Sequence, residues 1–221
     1  MLRLRERAER ASSTQHSTLN LPPTMAARIT VLPDERLAAL RPLLDARVRH
    51  AAEMVSGEGF GEIFDGSMRA VLIQALARAG AHEGSVWLLN VERGCLVPRF
   101  NNGPNAASFI GQFEQPLNVG LVSTVFATCQ PLCENSVRRD PRQDKRLDTQ
   151  LGVQTVAMIA VPLHFAGELR GVISAVQLSG AREAPGFSLE NLNEIRATAL
   201  VLARLLEHRL LTLVLGWEGV S

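Results

Sequence analysis

The sequence contains few cysteines, and their spacing excludes the sites that cysteines commonly build. Among 221 residues there are three, Cys95, Cys129 and Cys133, which form no CxxC pair. The odd number argues against a disulfide framework, and the spacing argues against a thiolate zinc site. Unpaired thiols are typical of a reducing cytosol, so we expect a cytoplasmic protein.

Other chemistry-bearing patterns are also scarce. The five histidines are far apart, with no HxxxH or HxH pair, so the sequence indicates no metal site. The formal net charge is +1, with basic and acidic residues interleaved, which excludes a broad basic field for nucleic acid. No apolar run approaches the roughly 18–20 residues that a membrane-spanning helix needs. We therefore expect a soluble protein with neither a nucleic-acid nor a membrane partner.

The apolar content, by contrast, is high enough for one hydrophobic core. Hydrophobic residues make up 46% of the chain, and 221 residues favour a single domain with appendages. Residues 1–33 begin arginine-rich and continue Ser/Thr/Pro-rich without apolar periodicity, so we expect a flexible leader there. Glu6 and Glu9 depart from the acid-poor pattern of a transit peptide. We predict one folded domain over residues 34–215 and a tail over residues 216–221.

Hydrophobic periodicity predicts a mixture of helices and strands. Apolar residues three to four positions apart predict helices from Asp34 to Gly57, across residues 66–79, and from Ser188 to the tail. A shorter helix is predicted after Gly120. Pro42 lies within the first helix and would kink it or mark its first turn.

Two β-hairpins are predicted between these helices. Residues 84–90 and 95–100 are β-rich runs joined by a turn at Gly94. Residues 155–165 and 168–179 form a second such pair and are apolar at both alternating positions. This pattern indicates a sheet that is covered on both faces.

A long polar stretch separates the first half of this pattern from the second hairpin. Residues 134–152, ENSVRRDPRQDKRLDTQLG, carry five basic and four acidic side chains. Long irregular connections commonly act as lids or binding loops. We therefore predict that these residues close over a ligand cavity.

The order of elements, and several short motifs, resemble the GAF domain. The resemblance is sharpest in residues 84–207 and is carried by LNVGLVSTVFATCQPL, by DPRQDKRLDTQLGVQTVAMIAVPL and by FSLENL. It implies an α+β fold, with a central antiparallel sheet of five or six strands and helices on both faces. It also implies a sensory domain that binds a small polar ligand without catalysis and signals through its flanking helices.

The sequence departs from the GAF domains that bind cyclic nucleotides. Their dispersed signature is matched at Phe187, but residues 177–178 and 191–192 replace its Asn-Lys and Asp-Glu pairs. Gln143 stands where the related motif has phenylalanine. No cofactor is predicted, and the ligand is left open between a cyclic nucleotide and another small metabolite.

The resemblance and the residue chemistry together suggest a ligand site. The N-terminus of the helix after Gly120 would present unpaired N–H groups to a phosphate or carboxylate. The polar stretch and the strand after it offer acceptors, a guanidinium fork and a hydroxyl. Alternatively, Gly120 only makes a turn, and Asp140 only caps a turn at Pro141. The predicted ligand-binding residues are Asn118, Gly120, Asp140, Arg142, Asp148 and Thr155.

An enzymatic interpretation has little support. One GAF-like family reduces free methionine sulfoxide with cysteines in the glycine-rich turn and the following loop, where this sequence has no thiol. Cys129 and Cys133 lie after the short helix and in the next strand, which favours inert thiols. Covalent bilin attachment would need a cysteine in or beside the polar stretch, usually followed by a histidine, and no such Cys-His pair is present. We therefore predict a protein that is not an enzyme.

The apolar stripe of the last helix allows two interpretations. It could pack on the domain's own sheet, or it could pair with a second copy of the chain. We predict a homodimer through this helix and a separate effector protein as partner; the alternative is a scaffold that dimerises or docks a partner without any ligand. The predicted dimer residues are Leu192, Ile195, Leu202, Leu206 and Leu210.

Overall fold

The computed structural model describes residues 34–57, 59–180 and 183–217. The predicted leader, residues 1–33, and the last four residues of the predicted tail lie outside the described residues. The chain divides into two compact units, residues 1–38 and 39–221. Of the first unit only residues 34–38 are described, and they form the start of the first helix.

Six α-helices are present in the described residues, four of them at the predicted places. Asp65 caps the third helix by accepting hydrogen bonds from the N–H groups of Ser67 and Met68, at 2.9 and 3.0 Å. Ser188 caps the last helix in a capping box whose partner is Asn191. The helices are α1 (Glu35–Val55), α2 (Phe60–Ile63), α3 (Gly66–Arg78), α4 (Leu121–Thr128), α5 (Arg146–Leu151) and α6 (Leu189–Leu215).

The six strands of the described residues form one antiparallel sheet, which confirms the predicted α+β fold with a central antiparallel sheet. Both predicted hairpins are present, as β1–β2 and β5–β6, and β1 pairs with β6 in the middle of the sheet. The sheet order is β3-β2-β1-β6-β5-β4. The strands are β1 (Glu83–Asn90), β2 (Cys95–Asn101), β3 (Gln115–Pro116), β4 (Leu132–Glu134), β5 (Thr155–Phe165) and β6 (Glu168–Leu178).

Alternate residues of the central strands pack into two separate cores. On β6, Ile173 and Ala175 belong to the core that α3 and α6 cover. Val172 belongs to a smaller core on the opposite face, together with Trp87 and with Val122 of α4. The sheet is therefore covered on both faces, as its two-sided apolar pattern predicts.

The pairing of β1 with β6 depends on a glycine. A Cβ atom at Gly171 would lie 1.9 Å from the carbonyl oxygen of Trp87 on the neighbouring strand. Any other residue there would push the two central strands apart, so glycine is required for close backbone approach rather than for a turn.

The apolar stripe of α6 packs inside the chain itself. Four of the five residues predicted to form a dimer interface are at most 1% exposed in the larger core, and Leu192 is packed against it half-buried. The outward side of the helix instead exposes 71% of Leu200 and 48% of Val201. A contact between α6 and a second copy would therefore use this outward side.

The polar stretch is less irregular than its composition suggests. Val137–Arg139 form a single 3₁₀ turn, and α5 occupies the second half of the stretch. Leu147 and Leu151, one turn apart on α5, pack against the smaller core. Within the described residues, no helix combines the length and apolar character that crossing a bilayer requires.

Candidate functional site

A cavity of about 90 Å³ lies between the sheet and the polar stretch. Its sheet side comes from alternate residues of the central strands, which point to one face because side chains alternate along a strand. Its other side comes from residues 137–153 and from the start of α4. The sheet residues that line it include Glu83, Ser85, Trp87, Asn101, Ser174 and Val176.

Two serines form a polar floor in the middle of the sheet. Ser85 of β1 and Ser174 of β6 are direct cross-strand partners, and both are buried. Ser85 Oγ accepts a hydrogen bond from Asn101 Nδ2 at 3.0 Å, and Ser174 Oγ accepts one from Trp87 Nε1 at 2.9 Å. Each hydroxyl keeps its own proton, so each can donate to a molecule in the cavity.

Asp148 ties α5 to the start of β5. Its carboxylate accepts hydrogen bonds from Thr155 N at 2.8 Å, from Thr155 Oγ1 at 2.9 Å and from Gln143 Nε2 at 3.2 Å. All three residues line the cavity. We call this set, Asp148 with Thr155 and Gln143, the latch, because it holds the polar stretch against the sheet.

A second group of contacts holds the start of α4. Gln115 Nε2 donates to Val119 O at 2.6 Å and to Asp144 Oδ2 at 3.1 Å. Hydrogen bonds from the Arg146 guanidinium hold the pKa of the Asp144 carboxyl below its ordinary value of 3.8. Gly120 precedes the helix with φ +91°, and a Cβ there would lie 2.9 Å from Gln115 Nε2. A larger residue would therefore disturb the packing as well as the turn.

The structure brings together only part of the predicted ligand site. Gly120, Asp148 and Thr155 line the cavity, whereas the other three predicted residues are not among the described residues that line it. Asn118 is exposed. Asp140 and Arg142 pair with each other at 2.6 Å, and this contact lowers the pKa of the Asp140 carboxyl.

Several lining residues were not predicted as site residues. Ser85 and Ser174 are small polar residues within apolar strands, and this mismatch is the signal that could have indicated them. For Gln143, the only signal in the sequence is that it stands where the related motif has phenylalanine. Gln115 and Trp87 carry no such signal, because their roles depend on the pairing of strands that are distant in sequence.

Most of the chain matches a known protein family. Residues 58–207 match the family model described as GAF domain. The chain belongs to the GAF domain family. GAF domains are a family of sensory and regulatory modules. Among curated protein sequences, none matches the chain.

Several solved structures resemble this chain at low sequence identity. The GAF domain of an Acinetobacter phosphoenolpyruvate-protein phosphotransferase gives a TM-score of 0.54 at 15% identity, covering 84% of this chain and 99% of that chain. The GAF domain of a Coxiella burnetii phosphoenolpyruvate-protein phosphotransferase gives a TM-score of 0.52 at 19% identity, covering 68% of this chain and 96% of that chain. Part of a methyl-accepting chemotaxis protein gives a TM-score of 0.53 at 16% identity, covering 77% of this chain and 98% of that chain. These similarities show the fold.

The thiols of this GAF domain lie away from the cavity. None of the three cysteines is among the described residues that line it. Burial raises the pKa of the Cys95 and Cys133 thiols, which disfavours the reactive thiolate, and Cys129 is exposed after α4. In the described part of the chain, no group of three or more His, Cys, Asp or Glu residues could hold a metal ion.

Proposed function

We propose that this GAF domain is a non-catalytic sensor that binds a small polar ligand in the cavity beneath the latch. The observation that carries the proposal is the cavity itself, which has hydroxyls fixed on the sheet side and the latch on the other. Preorganised polar groups in a largely apolar pocket are the usual features of a small-molecule site.

The size of the cavity limits the ligand. A cavity of about 150 Å³ accommodates benzene, and drug-sized ligands occupy pockets of about 300–1,000 Å³. At about 90 Å³, this cavity suits a molecule of a few heavy atoms. A cyclic nucleotide would enter only if the polar stretch moved outward and the latch opened.

Signal output would follow from the position of the latch. A ligand that contacts Gln143 or Asp148 changes the balance between the latched and the open polar stretch, because it binds one state more tightly than the other. The flanking helices α1 and α6 would carry this change to a separate effector protein or to a second copy of the chain.

Thermal unfolding with a ligand panel tests this proposal. The panel comprises cyclic nucleotides, purines, 2-oxoacids and small amines, amides and acids. At a hundred times Kd, a ligand stabilises the native state by about 2.7 kcal/mol. We expect at least one class to raise the Tm of the wild type.

A pair of matched variants separates the cavity from other binding sites. Val176 lines the cavity, so Val176→Phe should fill it and abolish the Tm shift. Val201 is exposed on α6, so Val201→Phe should keep the shift. A wild type that no compound stabilises, or a shift that survives Val176→Phe, would refute a ligand site in this cavity.

A ligand-free scaffold that dimerises is the second candidate function. It is favoured by apolar residues on the surface of two helices: Leu40 and Leu43 of α1 are 48% and 56% exposed, and Leu200 of α6 is 71% exposed. If these residues contact a second copy, Leu43→Glu and Leu200→Glu should each give a monomer in sedimentation experiments. Glu92→Gln, in the β1–β2 turn, is a control that should leave the oligomeric state unchanged.

A further inference from the structure

We infer that the ligand of this cavity is a small organic cation of the ammonium or amidinium type, an inference that rests on the proposed function. The charged residues among its described lining are Glu83, Asp144 and Asp148, and no lysine or arginine is among them. Asp144 is neutralised by its ion pair with Arg146 at 2.6 Å. Two carboxylates therefore remain to be considered.

Asp148 is held entirely by neutral donors. Its hydrogen bonds come from the backbone and hydroxyl of Thr155 and from the amide of Gln143. In the part of the chain that the structure describes, it forms no ion pair. Its negative charge at the cavity wall is therefore stabilised by dipoles but is not balanced by a cation.

The side chain of Glu83 has neither a hydrogen bond nor an ion pair within the described residues. It is half-buried, and its carboxylate lies over Gly103, where a Cβ would be 2.1 Å from Glu83 Cδ. The absence of a side chain at position 103 gives the carboxylate its room. Glu83 lines both the cavity and an adjoining surface groove that contains Asn102 and Pro104. This position suits the charged end of a ligand that enters from the groove.

Gln143, one of the residues that line the cavity, has an acceptor that lacks a donor. Gln143 Oε1 is buried and has no hydrogen-bond partner. The orientation of the amide follows from the latch, because Nε2 must face the Asp148 carboxylate to donate to it. A ligand N–H group would satisfy Gln143 Oε1, whereas an anion would add another acceptor beside it.

Aromatic rings and the start of α4 point to the same class of ligand. Trp87 and Phe109 line the cavity, and aromatic faces attract cations. The helix start, which would otherwise suit an anion, already has a carboxylate beside it: Asp144 Cβ lies 3.3 Å from the position of a Gly120 Cβ. An anionic ligand at the helix start would therefore lie close to the Asp144 side chain.

Three probes of similar size but different charge test this inference: propylammonium, propionamide and propionate. Binding is measured by calorimetric titration of the full chain at constant ionic strength in an amine-free buffer. We expect propylammonium to bind at least about tenfold more tightly than the other two, as one charge-assisted hydrogen bond would give. Tighter binding of propionate or propionamide, or no binding of propylammonium, would overturn the cationic assignment.

Charge-removing variants connect the probe to the carboxylates. Glu83→Gln should weaken propylammonium binding about tenfold. The folded structure should tolerate it, because the side chain of Glu83 makes no hydrogen bond to the described residues. Asp148→Asn should weaken binding as well. Glu92→Gln, which removes a carboxylate from the opposite end of the β1–β2 hairpin, should leave binding unchanged. Equal propylammonium affinity in Glu83→Gln, Glu92→Gln and wild type would contradict the assignment.

The outcomes separate this inference from the proposed function. If propylammonium fails but another compound of the ligand panel binds in a manner that Val176→Phe abolishes, the cavity remains a ligand site and only the cationic assignment is wrong. If Val176→Phe leaves propylammonium binding intact, the amine binds elsewhere, and the cationic assignment of the cavity is overturned.

Discussion

Removal of the latch carboxylate should release the polar stretch while the rest of the fold persists. Asp148→Ala deletes the acceptor of three hydrogen bonds. Thr155 is buried, so its N–H would lose its partner, at a cost of about 1–3 kcal/mol. The lost bond from its hydroxyl adds about 0.5–1.5 kcal/mol. Because Asp148 is half-buried and water can replace part of the loss, we expect about 2 kcal/mol.

Amide hydrogen exchange measures this release directly. A loss of about 2 kcal/mol corresponds to roughly thirtyfold faster exchange of the amides between residues 146 and 155, if these open as a local unit. Amides of the paired strands β1 and β6 should exchange as in the wild type. Thr149→Ala, an exposed position on the same helix, is the matched control and should change little.

A double-mutant cycle assigns the effect to the latch. Thr155→Val removes the hydroxyl but keeps a side chain of similar shape, and its effect should be smaller after Asp148→Ala than in the wild type. We expect a coupling free energy of about 1 kcal/mol. Purely additive effects, or exchange in Asp148→Ala within threefold of the wild type, would show that these contacts do not hold the polar stretch.

Three further predictions concern the sheet and the start of α4. Gly171→Ala should destabilise the fold by about 3 kcal/mol or more in urea unfolding, because the added Cβ would meet the backbone oxygen of Trp87. The control Gly61→Ala, whose Cβ would have no neighbouring atom within 4 Å, should be neutral or mildly stabilising. Ser174→Ala should cost about 1–3 kcal/mol by leaving the Trp87 indole N–H unpaired, visible as a change in tryptophan fluorescence. The pKa of the Asp144 carboxyl is lowered on folding. Its contribution to stability is therefore complete above the ordinary pKa of 3.8 and is lost as the pH falls through the lower folded-state pKa. Asp144→Asn should remove this part of the acid dependence, as measured by urea unfolding at varied pH.

Local sequence patterns predicted most of the elements because each depends on near neighbours. The hairpins β1–β2 and β5–β6 follow from β-rich runs joined by short turns, and α6 follows from its apolar spacing. The sequence does not indicate α5, because only Leu147 and Leu151 mark its buried side among many charges. The apolar stripe of α6 does not identify its packing partner, since the domain's own sheet and a second helix would select the same stripe.

The cavity floor could not be predicted from local patterns. Ser85 and Ser174 are 89 positions apart in the chain and become partners only when β1 pairs with β6. That pairing joins two hairpins, and nothing in either hairpin's sequence specifies which strands meet. The polar stretch is continuous in sequence and can be recognised from its composition. The sheet residues opposite it come from strands that are distant in sequence, so local patterns do not indicate them.

The alternation of residues along β6 explains how a signal from the cavity could reach α6. Ser174 faces the cavity, while its neighbours Ile173 and Ala175 face the core that α6 covers. A molecule in the cavity would therefore be separated from the helix by β6 and by the core side chains of Ile173 and Ala175. Because closely packed cores transmit small displacements, a ligand that shifted β6 in the proposed way would also shift the packing of α6. A sensor that responds through this route needs no movement of its chain termini toward the ligand.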